Sequence, residues 1–106
     1  MVTAAQFDVC AVDGPAGAKS RRLAVVLQHE VLGDLTTRIV APLLPIGERY
    51  AMDRAAIIVE ILGDSYVVAI HLMGAVPVRS LSAPLASLRD HEFSLKRAVD
   101  LVFFGN

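Results

Sequence analysis

The chain has 106 residues, enough for one domain with a real core and too few for two. Hydrophobic residues make up 55% and charged residues 20%, and the formal net charge is -1, so no uniform basic field invites nucleic acid. No apolar run approaches the roughly 20 residues a membrane span needs, the first residues lack a signal-peptide pattern, and Cys10 has no second cysteine to pair with. These features predict a cytoplasmic protein with no membrane association. The apolar excess predicts a homodimer with an apolar seam, because a monomer of this size has little interior in which to hide it.

Residues 6–12 alternate, with Phe7 and Val9 on one side and Asp8 and Cys10 on the other, and read as an opening strand. Asp13-Gly14-Pro15-Ala16-Gly17-Ala18 is loop chemistry with nothing to bury, available for contact. Residues 22–28 resume as a strand, and the unbroken run Leu23-Ala24-Val25-Val26-Leu27 predicts burial on both faces. A turn-prone stretch at 29–35 carries the apolar pair Val31 and Leu32. Residues 37–44 form a strand with Pro42 inside it, which points to an edge or a bulge. After an excursion at 45–55, strands at 56–62 and 65–73 flank Gly63-Asp64, a two-residue hairpin signal. Residues 76–81, with Pro77 inside, make one more strand, and Ser82-Ala83-Pro84 breaks the pattern.

Residues 88–106 read as a closing helix. Leu88, Leu95, Ala98, Val99 and Val102 fall on one side of it, and Leu101 and Phe103 widen that face. Asp90 and Glu92 come early and Lys96 and Arg97 later, the order a helix dipole favours, and Gly105 is a stop signal. Phe103 reads as core filling. Phe104 lies beyond the last core position and reads as a partner contact. The whole predicts a single domain over 1–106 of the α+β class, mostly β: an antiparallel sheet packed by one C-terminal helix.

No enzyme motif appears: no phosphate-binding glycine loop, no nucleophile elbow, and no metal-ligand spacing among His29, His71, His91 and Cys10. Cys10 reads as a small buried hydrophobe. Arg21 and Arg22 read as the solvated start of a strand. Arg38 reads as structural, since one arginine without a placed acid or base is not an active site. The expectation is therefore no catalytic residue, no metal and no cofactor.

Four blocks, taken in order and spacing, resemble the CcdB family, the toxins of toxin–antitoxin modules that poison DNA gyrase. They are Gln6-Phe7 with Val9; Thr37-Arg38-Ile39-Val40-Ala41-Pro42-Leu43; Val76-Pro77-Val78; and Leu101-Val102-Phe103-Phe104-Gly105. The resemblance implies an SH3-like sheet or barrel with a C-terminal helix, paired as a homodimer. It implies a topoisomerase poison that wedges into the DNA gyrase A subunit and traps the cleaved-DNA complex, with no catalysis of its own. A CcdA-type antitoxin would neutralise it. Toxin and antitoxin together would repress their operon, so operator DNA would be met only through that complex.

Carried over by position, the gyrase contacts would be Phe104, Gly105 and Asn106 at the tip, Asp100 one turn earlier, and the pair Val31 and Leu32. The antitoxin surface would include Val12, Asp13, Gly14 and Lys19, with Pro42, Leu43, Leu44 and Ile46. The family typically ends Trp-Gly-Ile and often has asparagine at the position of Asp100. Phe104 keeps a flat ring but loses the indole N–H, and Asn106 replaces an apolar end residue with an amide. Two alternatives follow from the same resemblance. One is a homologue that binds antitoxin without toxicity. The other is a MazF- or Kid-type mRNA endoribonuclease, which shares this fold and for which Arg38 and Arg79 are the candidate arginines.

Overall fold

The computed structural model describes residues 4–13, 22–30, 34–46 and 56–105. Seven strands make one antiparallel sheet: β1 Asp8–Val12, β2 Arg22–Val26, β3 Thr37–Pro45, β4 Ala56–Ile61, β5 Asp64–Ala69, β6 Gly74–Pro77 and β7 Ala86–Ser87. The main path runs β4-β5-β3-β2-β1-β7, with β6 pairing β3 from the side. One helix, α1 Glu92–Phe104, follows. The two-residue β7 is the strand that the broken pattern at 82–84 conceals.

The continuous apolar run of β2 does bury both faces, with Ala24, Val25 and Val26 all inside. Because successive side chains of a strand point to opposite faces, the run feeds two layers. Val25 joins Phe7, Val9, Ala41 and Leu43 in the larger core, on which α1 sets Leu95 and Ala98. Ala24 and Val26 join Cys10 and Val40 in a smaller second core. Cys10 is thus the small hydrophobe its setting predicts, and burial, with the charge of Asp8 second, pushes its thiol pKa up.

Pro42 does not lie on an edge. β3 is the hub of the sheet, pairing β2 along one side from Leu23↔Leu43 to Val26↔Val40. Along its other side it pairs β6 from Thr37↔Pro77 to Val40↔Gly74, and then β5 from Leu43↔Val68 to Pro45↔Tyr66. Pro42 falls where β3 changes partner, the place at which a residue without an N–H costs a ladder least. Beyond β6 the chain returns to β1. Leu81 bridges Val12, the Ser82 N–H donates to the Ala11 carbonyl at 2.9 Å, and the Asp13 N–H donates to the Ser80 carbonyl at 3.0 Å. This return nearly closes the sheet into a small SH3-like barrel, with α1 outside it.

The hairpin joining β4 and β5 turns one residue earlier than Gly63-Asp64. The ladder closes at Ile61↔Asp64, so the turn residues are Leu62 at φ 52° and Gly63 at φ 90°, both left-handed as a type I′ turn requires. Glycine accepts this conformation, whereas leucine is strained there by roughly 1–2 kcal/mol. The Leu62 side chain is 77% exposed and holds no core contact that would offset the strain. Leu62→Asn is therefore expected to raise stability by about 0.5–1 kcal/mol, read as a higher urea midpoint at unchanged slope.

The helix begins later than its hydrophobic pattern suggests. Leu88 is buried but precedes a 3-10 turn at Arg89–His91, and the α-helix starts at Glu92. Glu92 accepts from Lys96 Nζ and from Arg89 Nη1, each at 3.1 Å. The Lys96 hydrogen bond first, and Arg89 second, hold its carboxyl below the ordinary carboxylate range. A lowered folded pKa stabilises above the unfolded value of about 4.3 and loses that contribution as pH falls through the folded value. A carboxyl-carbon NMR titration should place the Glu92 midpoint below about 4.3, and Lys96→Met should move it upward.

Candidate functional site

Core packing holds only the middle of α1. Leu95 and Ala98 are buried and Val99 packs against the same core, but Val102, Phe103 and Phe104 are exposed. Phe103, expected to fill the core, is instead 62% exposed, and Phe104 is 74% exposed. Val102 shares the phase of Leu95 but is only partly covered, whereas Phe103 turns away from the face of Leu95 and Ala98 at about 100° per residue. The rings of Phe103 and Phe104 sit 6.4 Å apart, tilted by 51°. Gly105 ends the helix in the left-handed conformation at φ 75°, its N–H donating to the Leu101 carbonyl at 3.0 Å. A non-glycine residue here would strain the cap that sets the direction of the tip.

Asp100 is exposed one turn before the tip. A groove of about 510 Å³ runs alongside, between α1 and β4, lined by Ile57, Phe93, Ser94, Arg97, Ala98 and Leu101, and reaching Gly105. Phe93 is 78% exposed, and sequence reasoning missed it. The signal was present, since Phe93, Arg97, Leu101 and Phe104 follow i, i+4, i+8, i+11 spacing on one helix face. Val31, Leu32 and Asn106 lie outside the described residues.

The residues expected on a second surface divide. Val12 and Pro42 line one apolar cavity of about 230 Å³ together with Arg22, Leu72 and Val76. Asp13 and Ile46 are exposed. Leu43 and Leu44 are buried at 3% each, because both faces of β3 are covered at that point, so their side chains offer no contact surface on this chain. Gly14 and Lys19 lie outside the described residues. The helix tip and this cavity share no lining residue, so the two predicted surfaces are separate features.

Arg38 is 4% exposed, and its Nη1 donates to the carbonyls of Leu35 at 2.6 Å and Thr37 at 2.9 Å. That is structural use, as its isolation in the sequence predicts. Arg79 is exposed on the 3-10 turn Val78–Ser80. Among the described residues no group of His, Cys, Asp and Glu is placed to hold a metal ion, and no helix is long and apolar enough to cross a membrane.

The family model described as "CcdB protein" matches residues 6–105. The chain belongs to the CcdB family. Membership supports a toxin of a toxin–antitoxin system as its broad function. No curated protein matches the sequence. Solved structures similar to this CcdB-family chain include the Mycobacterium tuberculosis toxin MazF-mt6, at 21% identity and TM-score 0.74, covering 91% of this chain and 95% of that one. MazE-MazF (Form-II) from Deinococcus radiodurans matches at 16% identity and TM-score 0.77, covering 98% of each chain. An endoribonuclease in complex with its cognate antitoxin from Mycobacterial species matches at 8% identity and TM-score 0.72, covering 93% of each. At these identities the likeness shows a shared fold.

Proposed function

We propose that this CcdB-family chain is a toxin that acts by binding. In this reading the exposed end of α1 engages the DNA gyrase A subunit and traps the cleaved-DNA complex. The observation that carries it is the glycine-capped helix end with Phe104 74% exposed. Two exposed rings on a terminal turn form an anchor of the kind that dominates protein interfaces, and a cationic side chain on the target can stack on such a ring. Phe103 shares that tip, and Asp100, where the family often has asparagine, puts an exposed charge one turn earlier.

The same reading has the protein work as a homodimer. Exposed Ile39, Ile46, Ile58 and Leu72, beyond the tip itself, support a surface that a second chain covers. A CcdA-type antitoxin would neutralise the toxin, with the cavity bounded by Val12 and Pro42 as its candidate seat, and the pair would repress its own operon in the cytoplasm. Calorimetric titration of the folded protein into the host's gyrase A fragment tests the central contact. Micromolar or tighter binding supports it, and no heat from a folded dimer overturns it.

A second reading, RNA cleavage, draws on the fold shared with MazF proteins and on Arg22 at the mouth of an open cavity. Against it, Arg38 is buried against backbone carbonyls, which leaves Arg79 as the exposed candidate of that pair. Fragments of a defined RNA on a denaturing gel, with the protein and without metal, would favour this reading over the first.

A further inference from the structure

The exposed end of α1 is useful as an anchor only if the helix points in a fixed direction. Leu95 and Ala98 are the buried side chains of α1, while Val102, Phe103 and Phe104 at its end are exposed. Two side chains three residues apart make a fulcrum about 5 Å long, on which a longer helix can tilt. A tilt of about 10° there carries the tip by about 2 Å, well past the roughly 0.5 Å within which a binding constellation must be held.

Direction therefore depends on a second hold, and Arg89 supplies one just before the helix. Its Nη1 donates to Glu92 Oε1 at 3.1 Å, in the first turn of α1, and its Nη2 donates to the Gln6 carbonyl at 3.3 Å. Nη2 also lies 3.7 Å from Glu30 Oε1, just beyond β2, and the guanidinium carbon stands 5.2 Å from the centre of the Phe7 ring. One side chain thus joins the start of α1 to the segment before β1 and to the segment after β2. The backbone beneath it is pinned as well. The Arg89 N–H donates to Ser87 Oγ at 3.2 Å, next to the bond from Leu88 to the Phe7 carbonyl. Lys96, the other partner of Glu92, lies on α1 itself, so that pair stiffens the helix without aiming it.

We propose that Arg89 is a positioning residue: its guanidinium, held by Gln6, Glu30 and Phe7, sets the direction in which α1 presents Phe104. Only the consequence for gyrase binding rests on the target proposed above. Arg89 is 52% and Glu30 45% exposed, and ion pairs that open to water add little to folding stability. What the cluster supplies is geometry. Two nitrogens of one planar fork reach different segments while its centre stands over a ring, which a lysine ammonium cannot reproduce.

Amide residual dipolar couplings of the full chain, fitted for α1 against the sheet, test this. The helix axis should turn by about 10° or more in Arg89→Ala, nearly as far in Arg89→Lys, and stay in place in Lys96→Ala. Melting temperatures should change little, which marks the turn as a loss of direction rather than of fold. Both Arg89 variants should bind the gyrase A fragment about fivefold more weakly than the natural chain. If Arg89→Ala does not fold, by circular dichroism, Arg89→Lys decides alone. An axis unmoved in Arg89→Ala, full recovery in Arg89→Lys, or an equal turn in Lys96→Ala would each overturn the proposal. So would undiminished gyrase binding by Arg89→Ala where the natural chain binds. A natural chain that does not bind gyrase would overturn the target instead, and the couplings would still decide on Arg89.

Discussion

Phe104→Ala is expected to weaken binding to the gyrase A subunit by about thirtyfold or more, the effect of losing about 2 kcal/mol at an interface anchor. The same change should leave the melting temperature nearly unaltered, because the ring is 74% exposed and lies beyond the last core position of α1. That combination separates an anchor from a structural residue. Phe104→Trp should bind at least as tightly as the natural chain, since it adds area and an indole N–H to the same site. Phe103→Ala, on the same turn with its ring 6.4 Å away, should cost less if Phe104 is the principal anchor. Titration calorimetry on the four proteins measures all three differences. A Phe104→Ala protein that binds like the natural one would remove the tip from the account.

The largest expected effect on stability lies at the other end of the chain. Phe7 is buried, its backbone sits at φ 70°, and both of its main-chain groups are used. Its N–H donates to the Val26 carbonyl and its carbonyl accepts from the Leu88 N–H, each at 2.7 Å. These bonds tie the start of β1 to the end of β2 and to the approach of α1. Gln6 Nε2 reinforces them by donating to the Leu27 carbonyl at 2.9 Å. Arg89 lies over the Phe7 ring at 5.2 Å and reaches the Gln6 carbonyl with Nη2 at 3.3 Å.

Phe7→Ala removes the ring from the larger core and leaves the backbone strain in place, so it should cost about 3–5 kcal/mol. Phe7→Gly removes the same ring but releases the strain. It should therefore be the milder substitution by roughly 1 kcal/mol, the reverse of the usual order of alanine and glycine. Denaturant titration of both variants decides the point. Alanine proving milder than glycine would mean that the positive φ stores no strain.

Much of the fold was legible because strand periodicity and turn residues are local signals. The unbroken run Leu23-Ala24-Val25-Val26-Leu27 announced a strand buried on both faces, and Gly105 announced the end of the helix in the conformation it adopts. What could not be read depended on contacts distant in sequence. Pro42 looked like an edge residue because nothing local reveals that β3 exchanges β6 for β5 at that point. Phe103 is a different case: it looked like core because it adjoins Val102 in sequence, yet at about 100° per residue it stands about 80° from Leu95 and about 140° from Ala98, off the buried face.

The candidate site shows the same division. Phe104 stood out as an aromatic next to a terminal glycine. Phe93 did not, because it sits among charged residues near the helix start, and only the groove beside β4 gives it a neighbourhood. Leu43 and Leu44 enter the antitoxin surface by position alone, and the covering of both faces of β3 leaves their side chains buried in this chain. Gln6 and Phe7, among the residues that most resemble the family, hold the fold rather than the site.

The most direct measurement of the central claim is gyrase cleavage of supercoiled plasmid in the presence of the purified protein, stopped with detergent and protease and resolved on an agarose gel. Linear DNA should accumulate with the natural chain and stay at the no-toxin level with Phe104→Ala. A folded natural protein that leaves the plasmid supercoiled and uncleaved at concentrations well above that of gyrase would contradict it.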